Sequence, residues 1–175
     1  MNRRYTSEEY RDKILNLRKS MPDITITSDI IAGFPGETHE DHNLTVKALK
    51  EIEFDGIFAF KYSPRRGTKA STFKDRVTDE IQSQRLYEIL SVQDEITTRK
   101  NKLLEGTIQE VLVEGQHATD YNQQTGRTRT NKIVTIPGCT ITKGALINVK
   151  ITKGRRHSLE GKIINNENIG SHARL

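Results

Sequence analysis

The chain has 175 residues, enough for one ordinary domain or two small ones. With 33% hydrophobic and 29% charged residues, one Cys and no Trp, it is not a disulfide-stapled secreted scaffold, and no apolar run approaches the ~20 residues that span a bilayer. Its net charge of +5 is uneven: residues 1–104 carry 18 Lys and Arg against 17 Asp and Glu, residues 105–175 carry 10 against 6, and within 126–162 nine cations face the single acid Glu160, which points to a polyanionic partner.

Thr6 followed by Glu9 is a capping-box pattern ahead of Tyr10, Ile14 and Leu17 at helical spacing, predicting a helix over 7–20 that Met21-Pro22-Asp23 ends. Residues 24–32 are rich in β-branched side chains and run into Gly33-Phe34-Pro35-Gly36, a strand meeting a tight loop. Thr38 is placed to cap a second helix, with Glu40 and Asp41 in its first turn and Leu44, Val46, Leu49 and Ile52 on its apolar face. Residues 57–62 predict a strand and 63–68 a break. A long helix is expected over 78–104, burying Ile81, Leu86, Ile89, Leu90, Val92 and Ile96. This order implies parallel strands joined by helical crossovers. Two parallel strands do not make a stable sheet by themselves, so the α/β half, 1–104, is expected to be incomplete.

Beyond Gly106 the pattern changes to short strands near 107–114, 118–122, 131–136, 145–152 and 157–164. Turns are expected at 122–126, Pro137-Gly138 and Lys153-Gly154. Five short strands in so few residues predict a small barrel of the OB type over 105–168, followed by a tail at 169–175. The expected fold class is therefore α/β plus all-β, and the expected compartment, with no hydrophobic segment in MNRRYTSEEY, is the cytoplasm, without membrane attachment.

The Gly33–Thr38 loop lies at the carboxyl end of a predicted parallel strand, where α/β proteins place ligands. Pro35 removes a backbone donor, however, and the spacing fits no nucleotide-phosphate loop. His39 and His42 sit three apart without a third ligand, as in a solvated helix start, and Cys139 alone cannot hold an iron–sulfur cluster. No catalytic residue and no metal site is assigned within the chain. Gly126-Arg127-Thr128-Arg129-Thr130-Asn131-Lys132 is a different matter. On a strand, Arg127, Arg129 and Asn131 would share one face and Thr128, Thr130 and Lys132 the other, suited to phosphate and base-edge contacts, with Arg155 and Arg156 extending the patch.

Arg3-x-Tyr5-Thr6, Asp29-Ile30-Ile31-Ala32-Gly33-Phe34-Pro35-Gly36-Glu37-Thr38, Phe60-x-Tyr62-Ser63-Pro64-Arg65-x-Gly67-Thr68 and Gly126-Arg127-Thr128-x-x-Asn131-Lys132 occur in this order across nearly the whole chain. Together they resemble the radical-SAM tRNA methylthiotransferase family, in the branch acting on N6-isopentenyladenosine, and the terminal barrel resembles that family's TRAM domain. Arg66 stands where the family has Pro. The resemblance implies that 1–104 is the last part of a radical-SAM (β/α) barrel. It implies S-adenosylmethionine bordered by Ile31, Ala32, Gly33, Phe34, Glu37, Phe60 and Tyr62, and two [4Fe–4S] clusters held elsewhere in a longer enzyme, whose N-terminal part is absent here. It also implies a tRNA anticodon stem-loop as partner, contacted through Arg127, Arg129, Asn131, Lys132, Arg155 and Arg156. The reaction implied is methylthiolation at C2 of the isopentenylated adenine next to the anticodon, with the fragment itself inactive. Relatives acting on threonylcarbamoyladenosine or a ribosomal protein, and a standalone RNA-binding protein without catalysis, are the alternatives.

Overall fold

A computed structural model describes residues 4–138 and 140–164; Cys139, Arg3, residues 165–168 and the 169–175 tail lie outside the described residues. The chain divides into two compact units between Thr97 and Thr98.

In the first unit, α1 (Ser7–Ser20) begins with the expected capping box. The Thr6 hydroxyl accepts from the Glu9 N–H at 3.2 Å, and the Glu9 carboxylate accepts from the Thr6 N–H at 2.9 Å. Strand β1 (Thr27–Ala32) starts later than the β-branched run, because the Ile26 N–H is taken by the Asp55 carboxylate at 2.9 Å instead of a ladder partner. α2 (His39–Ile52) opens on a second capping box, Thr38 with Asp41, and closes on Glu53 in the left-handed region, φ 53°. β2 (Gly56–Lys61) pairs parallel with β1 from Thr27↔Gly56 to Ala32↔Lys61. A short 3-10 turn at Lys69–Thr72 precedes α3 (Asp79–Lys102).

One face of this two-stranded sheet is covered. Ile14, Ile26, Ala32, Leu49, Ile52, Phe54 and Ile89 form its core. Among the described residues the other face is bare, with Ile31, Phe58 and Phe60 exposed. α3 departs from its expected pattern: Ile89 and Ile96 are buried, but Ile81 and Leu90 are exposed, and Arg85 and Gln93 occupy buried positions instead. Both polar residues are engaged, Arg85 with the backbone and carboxylate of Glu37 and Gln93 with the Phe54 carbonyl at 2.9 Å. These bonds offset the burial of the Arg85 guanidinium and the Gln93 Nε2, while Gln93 Oε1 is buried without a partner among the described residues.

In the second unit, β3 (Ile108–Gln116), β4 (Gln123–Thr128), β5 (Ile133–Pro137), β6 (Leu146–Gly154) and β7 (Leu159–Ile163) form a closed barrel in the order β3-β4-β5-β7-β6. All pairs are antiparallel except β5 with β7. This is the five-stranded OB-like barrel expected from the strand count. Val111, Val134, Ile136, Val149, Ile151 and Leu159 fill it.

The second barrel strand corrects the sequence reading. Residues 118–122 are loop, and 123–128, most of it assigned to a turn, is strand. Gly126 is the reason. A Cβ there would lie 2.5 Å from the Leu112 carbonyl oxygen, so this glycine permits close strand packing and does not mark a turn. Gln124, Gly126 and Thr128 alternate inward as buried residues.

Candidate functional site

Two places carry groups that could meet a ligand, one in each unit. In the first, the carboxyl ends of β1 and β2 lie side by side, with Ile31 and Phe60 as register partners on the bare face and the Tyr62 N–H continuing the pairing to the Ala32 carbonyl at 2.8 Å. Ile31, Phe60, Lys61, Tyr62, Ser63, Arg65 and Thr68 line an open cavity of about 540 Å³, within the usual range for small-molecule sites. Phe34 meets Tyr62 edge-on at 5.2 Å between ring centres. The Tyr62 hydroxyl is buried without a hydrogen-bond partner among the described residues.

Gly33 and Gly36 take φ of 73° and 82°, which only glycine adopts cheaply, and a Cβ at Gly33 would meet the Gln82 side chain at 2.3 Å. The loop is held from inside by Glu37. Its Oε2 accepts from the Gly33 N–H at 3.0 Å and the Phe34 N–H at 3.3 Å, while Oε1 accepts from Arg85 Nη1 at 2.8 Å. Gln82 Nε2 adds a bond to the Gly33 carbonyl at 3.2 Å. So among the residues expected at the cofactor, Ile31, Phe60 and Tyr62 share the cavity, Ala32 is buried, Phe34 packs on Tyr62, and Gly33 lines a separate, smaller cavity with Pro35 and Gln82. The carboxylate of Glu37 is turned inward as the latch of the loop. Sequence reasoning missed Arg85 and Gln82, which lie 48 and 49 residues away from the groups they hold.

In the second unit, the basic segment is a turn and not a strand face. β4 ends at Thr128, whose N–H and hydroxyl bond across to Lys132, and Asn131 reverses the chain in the left-handed region at φ 61°. Arg127 is on the barrel exterior, where its Nε meets Glu114 at 3.0 Å and its Nη1 the Asn131 Oδ1 at 3.0 Å. Arg129 is 81% exposed at its side chain and bonds Glu110 at 2.7 Å. Arg155 pairs with Glu160. The nine-to-one imbalance of the sequence window is thus tempered by β3 acids that lie outside it. The unit nevertheless stays basic: 98–175 holds 13 Lys and Arg against 6 Asp and Glu, while 1–97 holds 15 against 17.

The structure brings Lys132, Arg155 and Arg156 together around a residue no motif singled out. Asn101, at the end of α3, is 3% exposed; its Oδ1 accepts from Lys132 Nζ at 2.9 Å, and its Nδ2 donates to the carbonyls of Arg155 at 2.7 Å and Arg156 at 3.4 Å. Arg127, Arg129 and Asn131 belong to the neighbouring turn.

His42, expected at a solvated helix start, is buried, with Nε2 2.8 Å from Glu88 Oε2. Among the described residues no group of three or more His, Cys, Asp or Glu is placed to hold a metal ion, and no helix is long and apolar enough to cross a membrane.

Residues 102–164 match the TRAM domain. Over 164 residues, 94% of this chain, the sequence is 59% identical to the tRNA-2-methylthio-N(6)-dimethylallyladenosine synthase of Thermodesulfovibrio yellowstonii. Proteins of the same name from Sulfurihydrogenibium sp. and Clostridium novyi are 48% and 46% identical over the same length. The chain spans 36–37% of the length of these relatives.

Proposed function

We propose that this chain, similar along nearly its whole length to tRNA-2-methylthio-N(6)-dimethylallyladenosine synthases and matching the TRAM domain at its barrel, is part of a cytoplasmic tRNA methylthiotransferase. The observation that carries the reading is the coincidence of that 59% identity with an OB-like barrel at the residues matched to the RNA-binding module. In this reading 1–104 is the end of a radical-SAM barrel, 105–168 is the RNA-binding domain, and the enzyme adds a methylthio group at C2 of an N6-dimethylallyl (isopentenyl) adenosine beside the anticodon.

The groups such an enzyme needs fit the chain unequally. The Ile31–Phe60–Tyr62 cavity suits the adenine side of S-adenosylmethionine: apolar side chains for a flat ring, with Lys61, Ser63, Arg65 and Thr68 as polar neighbours in the lining. Iron–sulfur clusters do not fit, because each needs several thiolates and the chain has one Cys. The cluster ligands therefore belong to the rest of the enzyme, and the role of these residues is to border the cofactor and to hold RNA.

The test is chemical. The full-length gene containing this chain is expressed in cells lacking their own tRNA methylthiotransferases, and tRNA nucleosides are resolved by mass spectrometry. Methylthiolated N6-dimethylallyladenosine is expected. Expressed protein that leaves this nucleoside unchanged would overturn the reading, and methylthiolation of threonylcarbamoyladenosine or a ribosomal protein instead would assign the chain to a different branch.

A further inference from the structure

We propose that Asn101 is the positioning residue of an RNA-binding corner on the barrel, fixing the β4–β5 turn and the β6–β7 turn as one cationic surface. The inference rests on the reading of the barrel as an RNA platform and adds what organises it. The two turns are far apart in sequence, and the Asn101 amide bonds to both: Lys132 Nζ in one, the Arg155 and Arg156 carbonyls in the other.

The chemistry suits an amide at this place. An ammonium needs an acceptor and a carbonyl needs a donor, and the Asn101 amide offers the two on separate atoms, Oδ1 and Nδ2. Gly154 packs directly on this end of α3, since a Cβ there would collide with the Asn101 backbone. The Glu105 carboxylate accepts from the Gly154 N–H at 2.9 Å, and the Arg155 N–H bonds the Ser158 carbonyl at 2.8 Å, closing the turn. Arg155 and Arg156 thus project from an anchored backbone, both exposed. Lys132 Nζ donates to Asn101 Oδ1 at 2.9 Å, which ties the β4–β5 turn to the same side chain. Arg99, Lys100 and Lys102 flank Asn101 in the last turn of α3. Cations held in place across two turns suit the phosphates of a looped RNA, because the ordering cost is met before binding.

The experiment measures affinity of the 175-residue chain for an anticodon stem-loop RNA at several salt concentrations, with Asn101→Ala, Asn101→Asp, Lys132→Ala and Arg156→Ala. Asn101→Ala is expected to weaken binding roughly fivefold or more and to flatten the slope of log affinity against log salt by about 0.7 for each phosphate no longer neutralised. Simple unfolding would scale affinity by the folded fraction and leave the slope as in the parent. Asn101→Asp keeps an oxygen for Lys132 and loses the donor to Arg155; it should flatten the slope less than Ala does, and it replaces Ala if that variant does not fold. The Asn101→Ala/Lys132→Ala double variant should fall short of the sum of the single effects, as coupled residues do. If Lys132→Ala and Arg156→Ala weaken binding while both Asn101 variants keep the parental affinity and slope, the positioning role is overturned. If Lys132→Ala and Arg156→Ala themselves bind like the parent, it is the RNA reading of the barrel that fails.

Discussion

The barrel and the α/β unit solve the same problem, burying apolar strand faces, to different degrees. The barrel closes on itself within 108–163: each of its five strands has two partners, and its inward side chains, Val111, Val134, Ile136 and Leu159, are completely buried. The α/β unit has one buried face and one bare face, on which Phe58 and Phe60 are 63% and 60% exposed. A closed sheet needs nothing more, whereas a parallel pair with helices on one side has the form of a sector of a larger sheet. The open cavity lined by Ile31, Phe60 and Tyr62 lies on the bare side.

The comparison can be broken by substitution. Ile136→Ala in the barrel core should cost about 2–5 kcal/mol in chemical denaturation, as large-to-small changes in sealed cores do, while Phe60→Ser on the bare face should change stability by within about 0.5 kcal/mol. A Phe60→Ser cost comparable to that of Ile136→Ala would mean that the face is covered in the 175-residue chain and that the contrast is false.

The Glu37 latch of the Gly33–Thr38 loop gives the next effect in size. Glu37→Ala leaves the Arg85 guanidinium, buried with the Glu37 carboxylate, without its ion pair and frees the Gly33 and Phe34 amides. A loss of about 3 kcal/mol is expected, with faster hydrogen exchange at those two amides and little change in the barrel. Unchanged exchange at Gly33 would show that the loop does not depend on Glu37.

Much of this was legible in the sequence because it is local. Thr6 with Glu9, and Thr38 with Asp41, set the helix starts within three residues of themselves, and the structure keeps both. Alternation gave five barrel strands. Reading Gly126 as a turn signal displaced the second, because a glycine required by a neighbouring backbone looks the same in sequence as one required by a turn. Glu37–Arg85 and Asn101–Lys132 were illegible for a related reason: partners 48 and 31 residues apart leave no periodic trace. The charge window was half legible, since it located the basic turns but omitted Glu110 and Glu114 across the sheet.

A smaller effect sharpens the picture of the first unit. The Asp41 carboxyl is held below its ordinary value chiefly by the Thr38 backbone N–H, then by the Thr38 hydroxyl. A lowered folded-state value means that the ionised form stabilises the folded unit. Its contribution is present above the ordinary Asp range and is lost as pH falls through the lower folded value. Asp41→Asn should therefore flatten the acid limb of the stability curve of the first unit and leave the barrel's unchanged.

The central claim is that the basic barrel, not the α/β unit, meets RNA. Mobility shifts of the 175-residue chain with an anticodon stem-loop, at several salt concentrations, test it with two double variants. Arg127→Ala/Arg129→Ala changes the barrel, and Arg11→Ala/Lys13→Ala changes α1, where Glu8, Glu9 and Asp12 offset the charge. The barrel variant should show a salt slope shallower by about 0.7 for each phosphate it no longer neutralises, or an affinity lower by roughly 1–3 kcal/mol for each arginine stacked on a base, while the α1 variant binds like the parent. Parental binding by the barrel variant together with weakened binding by the α1 variant would contradict the account.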